Sequence, residues 1–212
     1  MRFLRFLSIS FLCCALLVPL LFCFVQIKTA ALPQTPAPTT PAPGTSAKAM
    51  ALFDATSGTF LAESGASARL PMASTTKIMT ALVVLEECQL DDTFAVPAEA
   101  VGVEGSSVYL FEGEAVSVRT LLYALLLSSA NDAAVALALH TAGSVPAFAE
   151  KMNARAAALG LHDTCFQNPH GLPAEGHDTT ARELALIAAA AMKNPVFREI
   201  ASTTRYSVPQ RS

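Results

Sequence analysis

Residues 132–141 form the segment that most restricts how this chain can fold. Their sequence is DAAVALALHT, which places apolar side chains on nearly every side of an α-helix. A helix of this kind has no face suited to water, so other elements must surround it. The 212-residue chain is 52% apolar and only 15% charged, which is typical of a well-packed globule rather than a disordered chain. We therefore predict one domain in which this helix is buried.

The rest of the chain predicts one hairpin followed by helices. Short apolar runs at 49–54 and 59–63 flank a turn-like sequence and predict a β-hairpin. Ser117 is a suitable N-cap for one of the helices that follow, and Asn194-Pro195 is expected to end the last one. Apolar residues at helical spacing predict these further helices over 77–88, 118–127, 145–159 and 180–192.

The first 31 residues have the pattern of an export signal. Arg2 and Arg5 precede an apolar run over 6–25, and small residues at 29–31 offer a cleavage site. The run is also nearly long enough to span a bilayer, so a retained anchor that associates the chain with a membrane is the alternative. Either way we expect an exported, extracytoplasmic protein, at the cell wall or on the outer face of the cytoplasmic membrane.

A spacer follows the leader. Residues 32–48 are rich in Pro, Thr and Ala, a composition that cannot bury a core and favours an extended chain. We expect this linker to separate the leader from the domain that begins near residue 49.

The charge of the chain argues against a nucleic-acid partner. Without the three basic residues of the leader, 11 Lys and Arg stand against 17 Asp and Glu. An acidic body does not suit phosphate-backbone binding, and the lack of Trp argues against a base-stacking surface.

Ser74 and Lys77 are the first candidates for chemistry. They are three residues apart at the predicted start of a helix, so their side chains share one face. The positive end of the helix dipole favours a developing oxyanion at the serine, and a neutral lysine one turn on would accept its proton. The alternative is a helix N-cap followed by a solvated lysine.

A second candidate group lies in the turn before the buried helix. Ser129 and Asn131, in the sequence SSAND, place a hydroxyl and a carboxamide where the chain must turn between two apolar helices. The hydroxyl could relay a proton and the carboxamide could hold a substrate amide. The alternative is that these side chains only cap the helix that follows.

Ser-x-x-Lys followed by Ser-x-Asn provides two of the three motifs of class A β-lactamases and penicillin-binding proteins. The segments 72–80, 105–110, 121–136 and 168–186 also resemble the low-molecular-mass D-alanyl-D-alanine carboxypeptidases of bacterial cell walls. The resemblance extends from about residue 49 to the end of the chain. It implies an α/β fold of the serine β-lactamase type, with an antiparallel sheet packed on a helical region.

The resemblance also implies roles. Ser74 would be the acyl-forming nucleophile, Lys77 its base, Ser129 the proton relay and Asn131 a substrate-binding group. The substrate would be a peptidoglycan stem peptide ending in D-Ala-D-Ala, β-lactams would be inhibitors, and no cofactor would be needed.

One departure from the family pattern sets a further expectation. The third motif, Lys-Thr-Gly, occurs nowhere in the chain. In the family it lies on a strand of the main sheet after the helical part, and one hairpin alone does not make a stable sheet. We therefore expect 49–212 to be an incomplete, C-terminally truncated catalytic domain that is poorly stable and inactive by itself.

Two other functions remain open at this point. A serine β-lactamase shares both motifs, although class A enzymes add a glutamate that the sequence does not reveal. A truncated, non-catalytic wall-binding module is the second alternative.

The histidines and cysteines carry weaker signals. His162, His170 and His177 are close in sequence, but no metal-ligand spacing organises them, and we predict loop residues and no metal site. Cys88 and Cys165 are the cysteines outside the leader, and we favour free thiols over a disulfide.

Overall fold

The computed structural model of the protein describes residues 45–208. The predicted signal peptide or anchor, and most of the predicted linker, lie outside these residues. Within them, no helix is long and apolar enough to cross a membrane.

The predicted hairpin is confirmed, and within residues 45–208 it is one of three small antiparallel sheets. β1 (Met50–Asp54) pairs with β2 (Thr59–Ser64), and Asp54 stabilises the turn between them by accepting a hydrogen bond from the Thr56 N–H. The other strands were not predicted from the sequence, because two or three residues are too few to show an alternating pattern. They are β3 (Leu70–Pro71), which pairs with β6 (Asp178–Thr179), and β4 (Thr93–Ala95), which pairs with β5 (Ala115–Ser117).

All five predicted helices are present, with ends within one residue or so of the prediction. Ser117 caps its helix as expected, because its side chain accepts from the Thr120 N–H. The five are α1 (Thr76–Glu87), α2 (Val118–Leu127), α3 (Asn131–Ala142), α4 (Val145–Ala158) and α5 (Ala181–Ala191).

A sixth helix, α6 (Pro195–Ser202), follows the residues that were expected only to end α5. The Asn194 side chain accepts from the N–H groups of Val196 and Phe197, and Pro195 occupies the first helical turn. Asn-Pro therefore acts as an N-cap and a helix start as well as a stop, since proline fits a first turn whose amides need no partner.

Two helices form the centre of the helical region. α3 is buried along its first eight residues, as its all-round apolar pattern predicts, and it packs against α1, α2 and α4. α1 contacts every other helix of the described chain. The first turn of α1 is therefore held from several sides, which matters because Lys77 lies in it.

The hairpin lies against α5. Arg182 of α5 forms an ion pair with Glu63 and stacks its guanidinium over the Phe60 ring, 4.1 Å from the centroid. The side chains of Leu52 and Leu61, in contrast, are about half exposed. The hairpin is thus covered by α5 and also presents apolar side chains to solvent.

We expect Leu137→Ala to reduce the free energy of unfolding by about 2–5 kcal/mol, because Leu137 is fully buried in α3 and its truncation leaves a cavity. Leu61→Ala is the matched control. Leu61 is 47% exposed in β2, and its truncation should cost well under half as much. Urea unfolding of both variants measures the difference, and equal losses would contradict the central position of α3.

Candidate active site

Ser74 lies at the entrance to α1. It belongs to a 3₁₀ turn, Ala73–Thr75, that leads directly into the helix, and its side chain is exposed. Ala73 has φ +46°, a backbone conformation that non-glycine residues rarely adopt. Such strained residues are concentrated at functional sites. The turn therefore presents the Ser74 hydroxyl to solvent at the amino end of a helix, where negative charge is favoured.

Lys77 lies beneath the serine in the first turn of α1. Its side chain is only 3% exposed, and its Nζ donates to Ser74 Oγ at 3.3 Å and to the His170 carbonyl at 2.7 Å. Burial lowers the pKa of Lys77 to about 8. The structure thus brings the two predicted residues together, and the alternative of a solvated lysine is wrong.

The His170 carbonyl reaches Lys77 because its loop is fixed on α1. Asn168 closes the loop by accepting from the Gly171 N–H at 2.7 Å and donating to the Leu172 carbonyl at 2.9 Å. Thr80 of α1 donates to the Pro169 carbonyl at 2.7 Å. The loop therefore supplies a fixed acceptor to the lysine.

His177 supports the same loop from its other end. Its Nδ1 accepts from the Gln167 N–H at 2.9 Å, so the ring proton lies on Nε2, which faces Thr76 Oγ1 at 2.8 Å. Burial lowers the pKa of His177, and burial together with the neighbouring Lys77 lowers that of His170 to about 4. Both rings are neutral near pH 7, so they add no charge beside the lysine.

These two histidines were predicted only as loop residues, and their contacts with the site were missed. They come from a segment about 90–100 residues after Ser74, and no spacing rule links them to α1. The one signal available was the resemblance of the segment that begins at Asn168.

Ser129 lies in the turn between α2 and α3, and Asn131 is the first residue of α3. Ser129 has φ +54°, a second non-glycine residue in the left-handed region. The N-cap of α3 is Ala130, and no side chain caps the helix there, so the capping alternative is wrong. Instead, the buried Asn131 carboxamide donates from Nδ2 to the Glu104 carbonyl at 2.6 Å.

The two predicted groups lie on or beside helices that pack together, and no direct bond joins them in residues 45–208. α3, which begins at Asn131, packs against α1, which carries Lys77. Among the hydrogen bonds of residues 45–208, none joins Ser129 or Asn131 to Ser74 or Lys77. The roles predicted for Ser129 and Asn131 therefore stay predictions.

A sizeable cavity lies elsewhere. It has a volume of about 530 Å³, is bordered by α2, β5 and residues 204–208, and its lining includes neither Ser74 nor Lys77. We assign the site by its chemistry rather than by cavity volume, because among residues 45–208 the Ser74–Lys77 pair alone joins an exposed hydroxyl to a buried amine.

The cysteines take no part in this site. Cys88 and Cys165 are both free thiols, as favoured from the sequence. Across residues 45–208 no group of three or more His, Cys, Asp or Glu side chains is arranged to hold a metal ion.

We expect Gly171→Ala to destabilise the protein strongly and to displace the loop from α1. A Cβ on Gly171 would overlap the Ala73 carbonyl oxygen, which belongs to backbone and cannot move aside easily. Gly176→Ala is the matched control in the same loop. Its φ is also positive, at +72°, but its nearest neighbour is a flexible Gln167 side-chain atom at 3.6 Å.

Urea unfolding of the two glycine variants separates backbone strain from close approach. Both variants place an alanine in the left-handed region, which lowers the free energy of unfolding by about 1–2 kcal/mol. The loss should be clearly larger for Gly171→Ala because of the added clash. Equal losses would show that the loop does not press on the Ala73 turn.

Comparison with known proteins identifies the family of this site. The D-alanyl-D-alanine carboxypeptidase family, Peptidase S11, matches residues 36–211. D-alanyl-D-alanine carboxypeptidase DacF of Bacillus subtilis is 36% identical over 152 residues, covering 69% of this chain and 39% of its own. DacC of Escherichia coli is 42% identical over 152 residues, covering 66% of this chain and 38% of its own. The chain thus spans about two fifths of the length of these relatives.

Solved structures agree with the sequence relatives. Penicillin-binding protein 5 of Haemophilus influenzae superposes with a TM-score of 0.75 at 32% identity, over 79% of this chain and 51% of that one. The carboxypeptidase of Mycobacterium tuberculosis gives 0.74 at 36% identity, over 79% and 64%. These similarities confirm the predicted fold class, a mixture of helices and antiparallel strands of the penicillin-binding type. The chain belongs to the D-alanyl-D-alanine carboxypeptidase family.

Proposed function

We propose that this chain carries the acylating site of a serine-type D-Ala-D-Ala carboxypeptidase, which removes the terminal D-alanine from peptidoglycan stem peptides. The observation that supports this most is the Ser74–Lys77 pair. An exposed hydroxyl lies 3.3 Å from a buried amine whose pKa is lowered to about 8. Family membership supports the choice of substrate.

The first half of the reaction forms an ester. The neutral amine of Lys77 takes the proton of Ser74, and Oγ attacks the carbonyl carbon between the two D-alanines. The C–N bond then breaks, and the leaving amine takes a proton, which we assign to relay through Ser129. D-alanine departs, and the remaining peptide is an ester on Ser74.

The second half returns the free enzyme. Water adds to the ester carbonyl, the C–O bond to Ser74 breaks, and the hydroxyl regains its proton. The oxyanion of each tetrahedral intermediate would lie near the amino end of α1, whose backbone dipoles favour negative charge. No step needs a cofactor.

The contacts of Lys77 suit a base that works near neutral pH. The His170 carbonyl fixes the position of Nζ. None of the ion pairs within residues 45–208 involves Lys77, so no carboxylate there holds its proton. Burial is then the dominant influence, and burial favours the uncharged amine.

β-Lactams would react with the same serine, since their ring amide presents a carbonyl to Ser74. Asn131 would hold an amide carbonyl of either ligand. We further propose that the protein acts on the outer side of the cytoplasmic membrane, supported by its leader sequence over 1–31 and by the location of peptidoglycan. Anchoring by the leader would hold it at that surface.

We expect a fluorescent penicillin to label the full-length protein on Ser74, and Ser74→Ala to abolish the label. Ser57→Ala, which changes an exposed serine in the hairpin turn, is the control and should label normally. Mass spectrometry of the adduct peptide and D-alanine release from a D-Ala-D-Ala peptide are the measurements. An adduct on another residue would refute the assignment, absence of any adduct would indicate a non-catalytic wall-binding module, and rapid drug turnover would indicate a β-lactamase.

Lys77→Arg should slow acylation by about 10²–10⁴-fold, because a guanidinium keeps the charge but does not accept a proton at neutral pH. In the native protein the acylation rate should rise about tenfold per pH unit below pH 8 and level off above it, since only the neutral amine is active. Stopped-flow acylation between pH 6 and 9 measures both. Lys151→Arg, in an exposed ion pair with Glu87, is the control, and a flat pH profile would exclude Lys77 as the base.

A further inference from the structure

Asp132 is a buried carboxylate next to the residue that we assign to substrate binding. It is 1% exposed, and its oxygens accept from the hydroxyl of Ser107 at 2.6 Å and from the N–H groups of Val108 and Leu110, both at 3.1 Å. Asp132 lies in the first turn of α3. The structure adds three donors that all come from one loop, 104–110, far from α3 in sequence.

Asn131 forms hydrogen bonds with the other end of the same loop. Its side chain donates to the Glu104 carbonyl at 2.6 Å, and its backbone N–H donates to the Ser106 carbonyl at 2.7 Å. Gly105 lies between these two acceptors, and a Cβ there would be 2.7 Å from Asn131 Nδ2. Two consecutive residues of α3 therefore fix one loop, and the loop in turn fixes the Asn131 carboxamide.

The chemistry of this contact requires a carboxylate. An ionised Asp offers only acceptors, which suits three converging donors. Hydrogen bonds to a charged acceptor are also stronger than those between neutral groups, which offsets the cost of burying the charge. An asparagine of the same shape would turn an NH₂ group towards at least one N–H or O–H donor.

We propose that Asp132 is a positioning residue for substrate binding, which acts by holding the 104–110 loop so that the Glu104 carbonyl orients the Asn131 carboxamide. One hydrogen of Asn131 Nδ2 is engaged by Glu104, and the second is then directed at the amide carbonyl of the acyl donor. This inference rests on the proposed function, in which Asn131 holds that carbonyl.

A double-mutant cycle tests whether Asp132 acts through Asn131. The measured quantity is the second-order rate of acylation by a fluorescent penicillin in the full-length protein. We expect Asp132→Asn to lower this rate by at least tenfold in the native background and by less than about twofold when Asn131→Ala is already present. Equal losses in both backgrounds would overturn the proposal and leave Asp132 a purely structural residue.

Glu183→Gln is the matched control for loss of a buried carboxylate. Glu183 also accepts from a loop, through the N–H groups of His162 and Asp163 and the hydroxyl of Thr164. Its variant should lose stability, but its effect on acylation should be the same with and without Asn131→Ala. A similar coupling between Glu183→Gln and Asn131→Ala would also overturn the proposal, because a general loss of packing would then explain the results at both carboxylates.

A milder variant and an NMR measurement test the positioning role of Asp132 independently. Ser107→Ala removes one donor to Asp132 and should lower acylation by a few fold, again only when Asn131 is present. In NMR spectra, Asp132→Asn should shift the Asn131 side-chain amide protons and speed their exchange, and unchanged signals would refute the positioning role. If the native protein is not acylated at all, the proposed function fails, while the NMR result still decides whether Asp132 orients Asn131.

Discussion

The amine of Lys77 lies where the first turn of α1 meets the loop that carries His170, and the arrangement around it follows from keeping that amine out of water. A lysine on an exposed helix start would stay protonated, with a pKa near 10.4. Here α1 is covered by every other helix of the described chain and by the 165–178 loop. The packing of apolar helices is thus the physical origin of a lysine whose pKa is near 8.

The groups around Lys77 do not cancel the effect of burial on its pKa. A carboxylate beside Lys77 would stabilise the ammonium and raise its pKa. The partners of its Nζ instead are the Ser74 hydroxyl and the His170 backbone carbonyl, and the nearby His170 ring is neutral near pH 7. The buried carboxylates of Asp132 and Glu183 are occupied by backbone N–H groups and hydroxyls of their own loops.

Local patterns predicted much of this structure. The apolar periodicity of the helices, the Ser117 cap and the hairpin depend on residues that are neighbours in sequence, and the structure confirms all three. The strands β3 to β6 were not predicted, because two- or three-residue pairings depend on partners distant in sequence. The helix α6 was not predicted because Asn194-Pro195 was expected only to end α5. The Ser74–Lys77 contact was predictable, since it spans one helical turn. The His170 carbonyl and the 104–110 loop reach the site only through tertiary packing.

The 93-residue separation between Lys77 and His170 has a consequence for the order of folding. Closing such a long loop costs chain entropy before the contacts that offset this cost have formed. We therefore expect long-range pairings such as β3 with β6 to form together with the global fold rather than before it. In the unfolded chain Lys77 is hydrated, and at pH 7 only roughly one amine in a few thousand is neutral. The reactivity that we propose for Ser74 therefore arises only on folding, and we expect a nascent or partly folded chain to be inert towards acyl donors.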